Sequence, residues 1–132
     1  MALVRARRFH CSAFNLVTYM IPIIEIEEYL TEKGASPFGE WFKALGPQAA
    51  AIITVGLARL ADGNTSKVEP IGEGASELKI NRGPGYRVYF GRDGKALVIL
   101  LGGGTKRRQS DDIADALAHW RNYKARKAKA KK

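Results

Sequence analysis

The sequence holds one cysteine, Cys11, and two histidines, His10 and His119, among its 132 residues. A lone thiol excludes an intramolecular disulfide, and with only two imidazoles beside it no zinc-ligand spacing can be assembled. No metal and no other cofactor is therefore expected. Long apolar runs are also missing: none reaches the roughly 20 residues that cross a bilayer. The best stretch, Cys11 to Ile24, contains Asn15, Thr18 and Pro22 and runs into Glu25, Glu27 and Glu28. Arg5, Arg7 and Arg8 precede it as in a leader, but no small-x-small cleavage site follows. The expectation is a cytoplasmic protein without a membrane partner.

Positive charge is what the chain has in excess. It carries 22 Lys and Arg against 13 Asp and Glu, a formal +9, with 45% hydrophobic residues. That length and composition suit one domain with one core. Residues 1–19 carry +3 and residues 105–132 carry +7, whereas residues 20–45 carry −3. An anionic partner is the first functional suspect. Residues 1–19 read as an N-terminal extension, with Met20 as an alternative start. Residues 20–123 read as the domain, and 124–132 as a basic tail that frays when free.

The patterning predicts an α+β protein. Ile21 to Leu30 suits a first strand with one wet face. Ser36-Pro37 caps a helix whose stripe is Phe38, Trp41, Phe42 and Leu45, and Pro47 opens a second helix that runs to Asp62-Gly63-Asn64. From Ser76 the period becomes two. Leu78 and Ile80, then Tyr86 to Phe90, then Ala96 to Leu101 read as a three-stranded antiparallel meander joined at Gly83-Pro84-Gly85 and Asp93-Gly94. Ser110, Asp111 and Asp112 cap a last helix with Ile113, Ala116, Leu117 and Trp120 as its stripe.

Treating Asp93-Gly94 as a two-residue turn pairs Phe90 with Leu97, Val88 with Ile99 and Tyr86 with Leu101. A three-residue turn at 83–85 pairs Ile80 with Val88 and Leu78 with Phe90, extending one apolar face. The other face then carries Asn81 beside Arg87 and Lys79 beside Tyr89 on open sheet. Cations interleaved with an aromatic ring are the footprint of RNA binding, against the plainer reading of a solvated polar face. Gly102-Gly103-Gly104 followed by Lys106-Arg107-Arg108 reads either as a phosphate-binding turn beside a helix start or as a strand terminator.

The segments Glu77-Leu78-Lys79-Ile80, Gly83-Pro84-Gly85-Tyr86-Arg87-Val88-Tyr89-Phe90 and Leu100-Leu101-Gly102-Gly103, with Lys106, Gln109 and Asp112-Ile113, closely resemble the HigB-like addiction module killer proteins. These belong to the RelE/ParE superfamily of type II toxin–antitoxin systems, and the resemblance covers about residues 21–123. It implies a RelE-like fold of first strand, two-helix hairpin, three-stranded meander and C-terminal helix. It also implies a toxin that cleaves messenger RNA, usually on the ribosome, and is held by a cognate antitoxin of helix-turn-helix type. Operator DNA would be met only through the antitoxin complex.

On this resemblance Lys79, Arg87 and Lys106 are the catalytic candidates, and Asn81, Tyr89 and Arg107 bind RNA. Attack by a 2′-hydroxyl needs a base, charge neutralisation at the phosphorus and a proton for the leaving 5′ oxygen. Lys79 would orient or deprotonate the nucleophile while Arg87 and Lys106 hold the phosphate. RelE-like enzymes carry a tyrosine shortly after the last strand; here that region reads Gln109-Ser110-Asp111, leaving Tyr89 or Tyr123 as substitutes. His119, alone beside Trp120, reads as structural rather than catalytic. The other reading is a ParE-like inhibitor of DNA gyrase, which needs no catalytic residues, and a third is a basic binding module without activity.

Overall fold

The computed structural model describes residues 24–130, and of the preceding chain only the backbone of Val4–Arg5. The proposed extension and alternative start, 1–20, otherwise lie outside the described residues, as do Ile21 to Ile23 of the first expected strand. Val4–Arg5 forms β1, which pairs antiparallel with β2 (Glu25–Glu28). Two helices follow, α1 (Pro37–Lys43) and α2 (Pro47–Ala61). Ser36 caps α1 as its type and position require: its Oγ accepts from the Gly39 amide at 2.8 Å, and Pro37 occupies the first turn.

Strands β3 (Val68–Gly72), β4 (Ala75–Ile80), β5 (Tyr86–Arg92) and β6 (Leu97–Thr105) then run antiparallel, and β2 lies parallel beside β6. The sheet order is β1-β2-β6-β5-β4-β3. After one 3-10 turn, Lys106–Arg108, the chain ends in the 22-residue helix α3 (Gln109–Ala130).

The expected RelE-like layout is overturned. The sheet is mixed, the antiparallel run has four strands, and β1 and β3 add edges that were not foreseen. In β3, Glu69, Pro70 and Gly72 break the hydrophobic alternation that signals a strand, and proline is tolerated there because β3 is an edge strand.

Both predicted registers also fail. The last pair before the first turn is Ile80–Tyr86, so the loop spans 81–85 and Leu78 faces Val88. A shift of two residues leaves each side chain on its expected face. At the second turn the last pair is Arg92–Val98, and Phe90 faces Leu100 rather than Leu97. That odd slip turns β6 over: Val98 and Leu100 join Phe90, while Ile99 and Leu101 move to the opposite face.

The sheet therefore has two apolar faces. On one, α1 and α2 cover Ile26, Leu78, Val88, Phe90, Val98 and Leu100 with Phe38, Ile53, Leu57 and Leu60. On the other, α3 lays Ala116, Trp120 and Tyr123 on Tyr29, Ala75, Tyr89, Ile99 and Leu101. Each face seats one tryptophan on bare sheet backbone. Trp41 lies on Gly103 and Trp120 on Gly91, where any Cβ would collide with the indole.

Residues 124–130 of the basic tail do not fray as expected. They form the end of α3, where Lys124 Nζ donates to the Glu73 carbonyl at 3.1 Å, Arg126 donates to the Leu30 carbonyl and Lys127 pairs with Asp93. Sequence reading counted only apolar surface in this segment and missed these polar ties.

Candidate functional site

The face expected to be open sheet is enclosed by α3. Tyr89 is fully buried, Arg87 is 5% exposed and Glu77 is 4% exposed. This follows from the inverted register of β6, which gives α3 an apolar layer to cover next to these polar groups. Tyr89 consequently offers no ring for a base to stack on, and Asn81 sits in the exposed 81–85 loop rather than beside Arg87.

Arg87 stands directly across the ladder from Lys79 on one side and Gly104 on the other. Its Nη1 makes one long hydrogen bond, 3.3 Å, to the Tyr86 carbonyl, while its buried Nε meets no acceptor among the described residues. Lys79 Nζ is ion-paired with Glu69 at 2.8 Å and is only partly buried. The Lys106 amide donates to the Gly85 carbonyl at 2.8 Å, which fixes the 3-10 turn beside the β4–β5 loop. Lys106, Arg107 and Arg108 are all exposed on that turn. Lys79, Arg87 and Lys106 thus gather at one end of the sheet, with Arg107 next to them.

Three residues of this cluster escaped assignment to the site. Gln109 Nε2 donates to both oxygens of buried Glu77, at 2.8 and 3.1 Å. The Asp112 carboxylate rests on Gly104 so closely that a Cβ there would overlap it. Burial raises the Asp112 pKa, with Arg108 opposing the shift. Gln109 and Asp112 were legible as part of the family-like pattern, but the capping role expected of Asp112 hid its inward position.

The Tyr89 hydroxyl is buried without a hydrogen-bond partner among the described residues. Its pKa is pushed up, first by burial and then by Glu77 and Asp112, against the pull of Arg87. It stays a neutral phenol. The glycines at 102–104 do not form a phosphate-binding turn: they belong to β6 and pair with Tyr89, Val88 and Arg87, and Gly103 and Gly104 admit the close approach of Trp41 and Asp112.

The other tyrosine candidate, Tyr123, is tied down, its hydroxyl donating to Asp93 at 2.6 Å. His119 stacks on Tyr29 with ring centroids 5.0 Å apart, and burial lowers its pKa. No group of three or more potential metal ligands occurs among the described residues, and none of the described helices is long and apolar enough to cross a membrane.

Fold and site together define a small basic protein of mixed sheet with helices on both faces, in which α3 encloses a polar cluster at one sheet end beside exposed cations. No protein-family profile matches the chain. It is 40% identical over 80 residues to an uncharacterized protein of Haemophilus influenzae, a match covering 60% of this chain and 81% of that protein. The chain belongs to the same family as this H. influenzae protein.

Proposed function

We propose that this protein is the toxin of a type II toxin–antitoxin pair, a cytoplasmic endoribonuclease of the HigB-like kind that cuts messenger RNA while it is being translated on the ribosome. The observation that carries the reading is Arg87, a buried guanidinium with an unpartnered Nε beside Lys79 and the Lys106–Arg108 turn. A buried cationic donor without an acceptor is costly, and a phosphate oxygen is the acceptor that would relieve it.

In this reading Arg87 and Lys106 hold the scissile phosphate. The 2′-hydroxyl attacks phosphorus and gives up its proton to water, the bond to the 5′ oxygen breaks as that oxygen takes a proton from water, and the products are a 2′,3′-cyclic phosphate and a 5′ hydroxyl. Lys79, held in its pair with Glu69, orients the nucleophile and balances charge on the phosphorane. Arg107 tracks the backbone of the flanking strand, where it contributes to affinity but not to sequence choice. A cognate antitoxin of helix-turn-helix type is the expected partner, and it would carry any contact with operator DNA.

The test is induction of the full chain in growing bacteria, with transcript 5′ ends mapped and gyrase supercoiling assayed in parallel. New 5′-hydroxyl ends within open reading frames, absent for Arg87→Gln at matched protein level and melting temperature, are expected. Growth arrest with intact transcripts and inhibited supercoiling would replace the nuclease with a gyrase inhibitor.

A further inference from the structure

Cleavage through a 2′-hydroxyl needs a group that takes a proton, and the cations of the Arg87 cluster only donate. Lys79 is ion-paired with Glu69 at 2.8 Å, and neither a guanidinium nor an ammonium has an acceptor atom. The Tyr89 phenol is neutral and fully buried. Carboxylates remain. At this end of the sheet Glu69 is bound to Lys79, buried Glu77 receives Gln109 on both oxygens, and exposed Asp111 faces Arg108 at 3.8 Å. Asp112 has no such bond to a described residue; Arg108, Asp111 and Asp115 act on it through charge alone.

The backbone sets where that carboxylate lies. Gln109 and Asp112 are three residues apart on α3, so both turn towards the sheet, Gln109 to Glu77 and Asp112 to Gly104, where the missing side chain leaves room. Gly104 pairs with Arg87 across the β5–β6 ladder, and facing residues of such a pair stand about 5 Å apart. Asp112 is only partly buried, so solvent and substrate reach it where Arg87 is nearly enclosed. Burial also raises its pKa, which makes the ionised form a stronger base.

We infer that Asp112 is the general base of the RNA cleavage, taking the 2′ proton on its way to water. This rests on the nuclease reading above. With the phosphate on Arg87, the 2′ oxygen is tied to that phosphorus through two carbons and one oxygen, which holds it beside the neighbouring carboxylate. The 2′ O–H bond breaks as the oxygen bonds phosphorus, and the proton passes to Asp112 Oδ2. The bond to the 5′ oxygen breaks as that oxygen takes a proton from water, and Asp112 then returns its own proton to water.

The test is single-turnover cleavage by the full chain of a message held on programmed ribosomes. Asp112→Asn, at the parent's melting temperature and with unchanged binding to those ribosomes, should cut about a hundredfold slower or worse. Asp112→Glu should recover part of the loss. Formate, a small carboxylate that fits the gap, should revive Asp112→Ala where chloride does not. Asp111→Asn, one residue away and exposed, should cut at the parent's rate. A parent that leaves the message intact overturns the nuclease reading and this inference with it. A parent that cuts while Asp112→Asn keeps its rate, or an Asp112→Ala variant that formate leaves inactive, overturns this inference alone.

Discussion

The two faces of the sheet are built on the same device and end differently. Each has a tryptophan pressed on a strand glycine, Trp41 on Gly103 and Trp120 on Gly91. Under α1 and α2 the buried layer is hydrophobic throughout. Under α3 the apolar layer gives way at one end to Glu77, Arg87 and Tyr89, capped by Gln109 and Asp112 from the first turn of the helix. A face built only to close a core has no need of a buried guanidinium whose Nε, or a buried phenol whose hydroxyl, finds no partner among the described residues, since each costs free energy unless it is satisfied. The α1/α2 face is closed by apolar packing; the end of the α3 face keeps polar groups in the interior.

The sharpest break in that comparison comes from removing the α3 anchor. Trp120 is 4% exposed, packs on Gly91, stacks with Tyr123 at 5.4 Å between centroids, and donates from Nε1 to the Glu73 carbonyl at 2.8 Å. Trp120→Ala should cost about 3–5 kcal/mol, read as a lower denaturant midpoint. Gln109→Ala comes next, because it strips a buried carboxylate of a donor that reaches both its oxygens; a loss of about 1–3 kcal/mol is expected by chemical denaturation.

Tyr89→Phe runs the other way. It deletes a buried hydroxyl that has no partner, and should raise stability by about 1 kcal/mol in the same assay. The smallest effect belongs to Asp112. Burial raises its pKa in the fold, so its contribution favours the folded state fully below the unfolded pKa and is lost as pH rises through the folded value. Asp112→Asn should flatten the pH dependence of stability on the acid side, and at neutral pH stay within about 0.5 kcal/mol of the parent or above it.

Local signals were readable in the sequence, and their spatial consequences were not. The Ser36-Pro37 cap, the Pro47 start and the helical stripes of α1 and α2 follow from chemistry within a few residues. The loops at 81–85 and 93–97 do not, because Asp93-Gly94 favours a tight turn that the chain declines: the Asp93 amide bonds instead to the Leu97 carbonyl at 2.9 Å. One odd slip at that loop moved Ile99 and Leu101 across the sheet and converted an expected open face into an enclosed one.

Candidate residues fared by the same rule. Lys79, Arg87 and Lys106 lie at one sheet end because the two-residue shift sets Lys79 opposite Arg87 and the turn after β6 returns Lys106 to the same end. Asn81 and Tyr89 depended on the register and are separated from the expected surface. Glu77, Gln109 and Asp112 carry ordinary surface chemistry in the sequence, and nothing short of the path of α3 shows them facing inward.

The proposed nuclease reading requires the unpartnered Arg87 Nε–H to meet a phosphate oxygen when RNA binds. The most direct test follows the Arg87 Nε–H resonance of isotope-labelled protein as a short RNA, blocked against cleavage by 2′-O-methyl groups, is added. A saturable shift of that resonance, with slowed exchange of its proton with water, is the predicted result. Saturable RNA binding that leaves the Arg87 Nε–H unmoved and shifts only Lys124 to Lys129 would contradict it.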